Sequence, residues 1–248
     1  MRVSSIRSLL WKETRQLARN RTAMLTAAML PFIILFLAPI QLLVAVHFGG
    51  GPGIQQLRDS PLPGFADVTD PRQLLVQFFY PMLLVIGGLL LPSLTTTYAI
   101  VAERERRSLE LLISLPVTVA EILTAKLLAV LAVTAMIGLP YVVVVLTLLL
   151  VLGVADATTI PALLAPFLAA VACSIGISLL LTLLARDFRT ANNLSGAFVV
   201  PAFVITIGTL GAVGGPARTY VLAALLLALG GVAIFAALKW VSVERYLE

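Results

Sequence analysis

The chain has 248 residues, of which 60% are hydrophobic and 12% are charged, and its formal net charge is +5. Soluble domains carry about 25% charged residues, so this chain has too little charge to coat a surface that faces water. The composition therefore argues against a soluble enzyme and a nucleic-acid-binding domain. The length is better divided into segments of the roughly 20 apolar residues that cross a bilayer.

The first 21 residues have an amphipathic pattern, which predicts a helix over 1–21 that lies on the inner membrane surface. Val3, Ile6 and Leu10 recur near helical spacing, and most of the arginines lie elsewhere around the helix. Such helices bind at the lipid headgroup layer, where Trp11 also fits. The pattern leaves open whether this helix is only a lipid anchor or also a docking surface for a partner.

Six stretches without Asp, Glu, Lys, Arg or His follow, and each is 20 to 30 residues long. At about 1.5 Å per helical residue, each can span a hydrocarbon layer about 30 Å thick. The sequence therefore predicts an all-α, polytopic integral membrane protein that forms a single transmembrane domain over 1–248. The six predicted transmembrane helices are 22–46, 73–101, 122–152, 160–185, 192–214 and 219–240.

The basic residues predict how these helices are oriented. With a cytoplasmic N terminus, 14 of the 17 Lys and Arg residues lie on the inner side, and only Arg58, Arg72 and Arg218 lie outside. This asymmetry follows the positive-inside rule. We therefore expect both termini in the cytoplasm, and we interpret the net positive charge as a feature of membrane orientation with no nucleic-acid partner.

The predicted spans contain almost no ionisable side chains. Lys126, Arg186, Asp187 and Lys239 lie near predicted helix ends, where long side chains can reach the aqueous boundary. An ion-coupled carrier usually keeps charged groups inside its spans, and the sequence has no Gly-x-x-x-x-Gly-Lys-Ser/Thr motif for binding ATP. Uphill transport would therefore take its energy from another chain.

The sequence offers no group of residues for catalysis or metal binding. It has one cysteine, Cys173, and one histidine, His47. A single thiol and a single imidazole make a poor metal site, and Ser174 and Ser178 have no His or Asp beside them to activate a hydroxyl. We expect no catalytic site, no metal and no cofactor in this chain.

Five of the six spans contain proline, which removes a backbone hydrogen bond and tends to kink a helix. Such kinks form cavities or hinges in some bundles and have no mechanical role in others. Gly211 and Gly215 have the spacing of small residues at close helix contacts. Polar span residues such as Gln41 and Tyr80 either line a passage or form hydrogen bonds between helices.

The segment 102–126, AERERRSLELLISLPVTVAEILTAK, carries the most specific pattern in the chain. A charged half from Glu103 to Arg107 runs into a leucine-rich half, and Pro116 then interrupts the helix. The pattern predicts a short amphipathic helix over 103–116, between spans two and three, on the cytoplasmic side of the membrane.

This segment resembles the signature of the type-2 permeases of ATP-binding-cassette (ABC) exporters, which reads roughly E-R-E-x-G-T-L-E-x-L-L-x-x-P and then E-I-L-x-x-K. The residues that match are Glu103, Arg104, Glu105, Leu109, Glu110, Leu111, Leu112, Pro116, Glu121, Ile122, Leu123 and Lys126. The chain departs from the signature at Arg107 and Ser108, where Gly and Thr are usual. The opening Trp11-Lys12-Glu13 and the six-span layout are also similar to the family.

The resemblance implies a membrane permease subunit of an exporter in a bacterial or archaeal plasma (inner) membrane. Two such subunits would pair, as a homodimer or with a related chain, and two copies of an ATPase subunit would dock on their cytoplasmic faces. The 103–116 helix would be the coupling helix. The implied ATPase-coupling residues are Glu103, Arg104, Glu105, Arg106, Arg107, Glu110 and Pro116. Because spans one, two and five border the path in this family, Gln41, Tyr80 and Pro201 are implied path residues.

Two other classes of protein stay open from the sequence. One is a secondary carrier or channel that works alone, and the other is a membrane scaffold that transports nothing. The lack of charged residues in the spans and of a clear inverted repeat counts against the carrier.

Overall fold

The computed structural model describes residues 28–49, 70–105, 119–184 and 188–240, together with Trp11, Arg15, Leu25 and Gly64. Every regular element within these residues is a helix, which confirms the all-α prediction for this part of the chain. The predicted interfacial helix over 1–21 lies outside the described residues except for Trp11 and Arg15. The same holds for 106–116 of the predicted coupling helix.

The described residues form helices in all six predicted intervals, which we name α1 to α6 in chain order. Helix α1 comprises π-helical turns at Phe32–Leu37 and an α-helix at Ala38–Gly49. Helix α2 comprises Pro71–Leu74, π-helical turns at Leu75–Phe79 and the long segment Tyr80–Glu105. The other helices are α3 at Val119–Val151, α4 at Ile160–Leu184, α5 at Phe188–Ala212 and α6 at Arg218–Trp240.

Four stretches of the described residues are long and apolar enough to cross a membrane: Pro71–Ser93, Thr124–Val151, Ala157–Leu181 and Arg218–Ala237. Shorter apolar stretches, Ala28–Val44 and Gly196–Ala212, lie in α1 and α5. The chain is therefore a membrane protein with several apolar helices, and six crossings remain a prediction.

Helices α2 and α4 form the centre of the bundle. Helix α4 packs most extensively against α6 and α2, and α2 also packs against α5 and α3. One group of buried apolar residues joins α1, α2, α3 and α4 and includes Leu35 and Phe167. A second group joins α2, α4, α5 and α6 and includes Cys173 and Leu226. Because α2 and α4 contribute to both groups, they connect the two halves of the bundle.

Glycine allows α4 and α6 to approach closely. A Cβ atom at Gly230 would lie 2.6 Å from the Cα of Cys173, and a Cβ at Gly176 would lie 2.7 Å from the carbonyl oxygen of Gly230. Small residues of this kind let membrane helices pack backbone to backbone. Gly215 lies beyond α5, which ends at Ala212, and it adopts a φ of 72°, so it does not pack as part of that helix. Gly211 lies in α5 and does pack closely, because a Cβ at Gly64 would lie 2.7 Å from its carbonyl oxygen.

The surfaces of α3, α5 and α6 that face away from the bundle are apolar. Exposed side chains include Leu131, Met136 and Val143 on α3, Val204 on α5 and Phe235 on α6. Monomeric soluble proteins rarely expose apolar surface on this scale. In a membrane, the hydrocarbon of the lipids or a partner helix can cover this surface and keep it from water.

Candidate functional site

The connection between α2 and α3 is where the resemblance implies ATPase coupling. Helix α2 continues to Glu105 and α3 begins at Val119. Glu103, Arg104 and Glu105 therefore extend α2, and the first turn of the predicted coupling helix is a continuation of the second span. The other implied coupling residues, Arg106, Arg107, Glu110 and Pro116, lie outside the described residues.

The Tyr80 side chain joins α2 to α1. It is 1% exposed, and its hydroxyl donates a hydrogen bond to the backbone carbonyl oxygen of Pro39 at 3.1 Å. The sequence left open whether polar span residues line a passage or bond between helices, and in this structure Tyr80 bonds between helices.

Two of the prolines lie just after a π-helical segment, in which the helix is locally wider than an α-helix. Each π-helical segment ends two residues before a proline, at Leu37 before Pro39 and at Phe79 before Pro81. A proline ring would clash with the carbonyl four residues earlier, and a π-helical turn moves that carbonyl away. The Tyr80 hydrogen bond therefore links the two widened regions. Pro92, Pro140, Pro166 and Pro201 lie inside continuous α-helices.

The other implied path residues lie on surfaces of the bundle. Gln41 on α1 and Pro201 on α5 are exposed, whereas Tyr80 faces the contact between α1 and α2. The structure thus does not place all three side chains around one space within a single chain. Their role in a path stays a prediction.

An aromatic cluster fixes α1 against α3. The ring of Tyr141 lies 5.8 Å from that of Phe32 and 6.0 Å from that of Phe36, and the two phenylalanine rings are 5.3 Å apart. Centroid distances of this size are those of attractive aromatic pairs. Deeper in the bundle, the Ser174 hydroxyl on α4 donates to the carbonyl oxygen of Leu89 on α2.

Arg218, at the first position of α6, is a central polar residue that sequence reasoning missed. It is 1% exposed. Its Nε donates to the carbonyl oxygen of Gly215 at 2.9 Å, its Nη1 to that of Gly64 at 3.0 Å, and its Nη2 to the Gln77 side-chain oxygen at 2.9 Å. The signal in the sequence was that Arg218 is the single charge separating two long apolar stretches.

The two lysines expected at helix ends behave differently. Lys239 is exposed, with its Nζ 5.3 Å from the centroid of the Phe235 ring. Lys126 is 1% exposed, so the expectation that it reaches the aqueous boundary is wrong. It is the eighth residue of α3. Arg186 and Asp187 lie outside the described residues.

A family model described as an ABC-2 family transporter protein matches residues 55–229. The matched range covers more than half of the chain, and it contains α2 to α5 and the 102–126 segment. No curated protein and no solved structure matches the chain.

Proposed function

The chain belongs to the ABC-2 family of transporter proteins, and from this premise we propose that it forms the translocation path of an exporter driven by a separate ATPase subunit. The observation that carries the proposal is the family match over 55–229, because this range includes the charged 102–126 segment. Members of the family are membrane subunits of ABC transporters and work with ATPase subunits.

In the proposed arrangement, α1 to α6 all cross the plasma (inner) membrane and both termini are cytoplasmic. The 1–21 segment lies on the inner surface as an interfacial helix, and the 103–116 segment contacts the ATPase as the coupling helix. The asymmetric distribution of Lys and Arg supports this orientation.

The packing of α2 gives the coupling proposal a physical route. A displacement of the 103–116 segment would act on α2, which ends at Glu105, and on α3, which begins at Val119. Helix α2 packs extensively on α4, and α4 packs on α6. Rigid helices with such contacts move together, so ATP-driven closure of the ATPase pair would shift much of the bundle as a body.

The path is proposed to form between two permease subunits, either two copies of this chain or this chain with a relative. Gln41 and Pro201 are exposed on α1 and α5, where a second subunit could face them. Tyr80 would then act indirectly, since its bond to Pro39 holds α1 against α2 beside the path.

Combined charge reversal tests the docking proposal. In the triple variant Glu103→Lys, Arg104→Glu and Glu110→Lys, each ion pair that these three residues make with the ATPase would become a like-charge contact, which opposes binding. We expect at least tenfold less ATPase retained during co-purification, or ATP hydrolysis that no longer responds to the permease.

The matched control is Lys239→Glu, which changes an exposed charge on the same proposed side of the membrane. It should retain the ATPase like the parent chain. Normal ATPase binding together with normal export in the triple variant would refute the coupling assignment.

A further inference from the structure

A cavity of about 620 Å³ opens at the end of the bundle opposite the α2–α3 connection. It lies where four apolar stretches start or stop, near Pro71, Val151, Ala157 and Arg218. Since these are the points at which apolar helices leave a hydrocarbon layer, the cavity lies at the level of lipid headgroups. Its size is that of pockets that hold small organic ligands.

The lining divides into an apolar wall and a charged rim. Val76 and Leu163 are buried in the wall, so the deep side of the cavity is continuous with the apolar bundle. Asp70, Arg72 and Asp156 line the rim, and all three are exposed. A ligand with one apolar end and one charged end fits this arrangement.

The charges in the cavity have both signs. Buried Arg218 and exposed Arg72 are the cations, and Asp70 and Asp156 are the anions. Arg218 is held by Gln77, so its positive charge has a fixed position. A lining of two cations and two anions favours a ligand that carries both signs over a simple anion or a simple cation.

Arg72 and Asp156 are the two rim residues whose charged groups are available to contact a ligand. The Asp70 carboxylate accepts a hydrogen bond from the backbone N–H of Arg72 at 3.0 Å, which caps the start of α2. The Asp156 carboxylate makes no capping hydrogen bond to the 3₁₀ turn Ala157–Thr159 that follows it. The Arg72 guanidinium and the Asp156 carboxylate can therefore both turn towards a bound molecule.

We infer that this cavity binds the head group of a zwitterionic phospholipid, with the lipid phosphate at Arg72 and the ammonium at Asp156. The acyl chains leave along the apolar wall into the surrounding hydrocarbon. The inference rests on the membrane location of the helices and uses neither the ATPase nor the path between subunits. With the proposed orientation, the lipid belongs to the outer leaflet.

The test measures thermal unfolding of the full chain in detergent during titration with three probes. The probes are a short-chain phosphatidylethanolamine, the matching phosphatidylglycerol, and glycerophosphoethanolamine without acyl chains. A ligand that binds the folded state raises the unfolding temperature in a saturable way. We expect phosphatidylethanolamine to act at concentrations about tenfold lower than phosphatidylglycerol, which corresponds to one charged hydrogen bond. It should also act at lower concentrations than glycerophosphoethanolamine, which has no acyl chains to contact the apolar wall.

Variants assign the effect to the cavity. Asp156→Asn should weaken phosphatidylethanolamine binding about tenfold and abolish its advantage over phosphatidylglycerol, and Arg72→Gln should weaken both lipids. Lys239→Gln changes an exposed cation at the other end of α6 and should bind all probes like the parent chain.

Three results would overturn the inference. Equal binding of phosphatidylglycerol would show that the site does not recognise the ammonium, and equal binding of glycerophosphoethanolamine would show a site for a water-soluble zwitterion. Unchanged phosphatidylethanolamine binding in both rim variants would place the lipid elsewhere on the bundle. A failed ATPase-docking experiment would leave the inference standing, because none of these measurements includes the ATPase.

Discussion

Arg218 is buried at the start of α6 and donates hydrogen bonds from Nε, Nη1 and Nη2. Burying a guanidinium is costly unless its donors find acceptors, and here two backbone carbonyls and the Gln77 amide supply them. The bonds reach α2 and Gly64, so one side chain ties three separate parts of the chain together. Arginine suits this role because its planar fork holds several acceptors in a fixed geometry.

We predict that Arg218→Lys destabilises the protein although it keeps the charge. The ammonium cannot reach the same acceptors in the guanidinium geometry, and losing charged hydrogen bonds should lower the free energy of unfolding by about 2 kcal/mol. Denaturation of the purified chain in mixed detergent measures the effect.

Arg72→Lys is the matched control, since Arg72 is exposed at the same end of the bundle. It should change the free energy of unfolding by no more than about 0.5 kcal/mol. If the two variants are equally stable, the Arg218 bonds do not contribute as argued.

Sequence reasoning identified Arg218 as a cation on the outer side but not as a buried one. Its partners Gln77 and Gly64 are 141 and 154 residues away in the chain, and local periodicity carries no information about contacts of that separation. The same limit applies to Tyr80, whose partner Pro39 is 41 residues away. For Tyr80 the sequence offered two roles, and only the packing of α1 on α2 distinguishes them.

At the scale of the helices, apolar length alone predicted most of the fold. Long stretches without charge leave few alternatives to helices, because backbone groups in hydrocarbon must be satisfied within the segment. The sequence also predicted that prolines would disturb the helices, but not where. Pro39 and Pro81 follow π-helical turns, whereas Pro92 and Pro140 lie inside α-helix. This difference depends on how the surrounding helices repack.

The close contact between α4 and α6 yields a prediction about adjacent glycines. Gly230→Ala would place a methyl group 2.6 Å from the Cα of Cys173, so the helices must separate. Overpacking of this kind should lower the free energy of unfolding by about 2 kcal/mol. Thermal unfolding in detergent reports the loss.

Gly231→Ala provides a control one position along the same helix. Gly231 is exposed, and a Cβ there meets no heavy atom within 4 Å. That variant should unfold at or slightly above the temperature of the parent chain, because alanine favours the helix. Equal destabilisation by both changes would mean that α4 and α6 do not cross at Gly230.

At the scale of the whole molecule, the described residues form a helical bundle in which α2 and α4 connect two groups of buried side chains. The family match adds that such a bundle is a membrane subunit of an ABC transporter. The 102–126 segment indicated this family from its residue order alone. The cavity at the opposite end gave no comparable signal, since its lining comes from three distant parts of the chain.

The orientation of the α2–α3 connection tests the central claim most directly, because an ATPase can act only on a cytoplasmic segment. A single cysteine is introduced by Ser108→Cys in a chain that also carries Cys173→Ala, and Ala157→Cys in the same background reports on the opposite end of the bundle. Each variant is treated with a membrane-impermeant maleimide in intact cells and in inverted vesicles. The account predicts that the cysteine at 108 reacts only in inverted vesicles and the cysteine at 157 only in intact cells, whereas reaction at 108 in intact cells would contradict it.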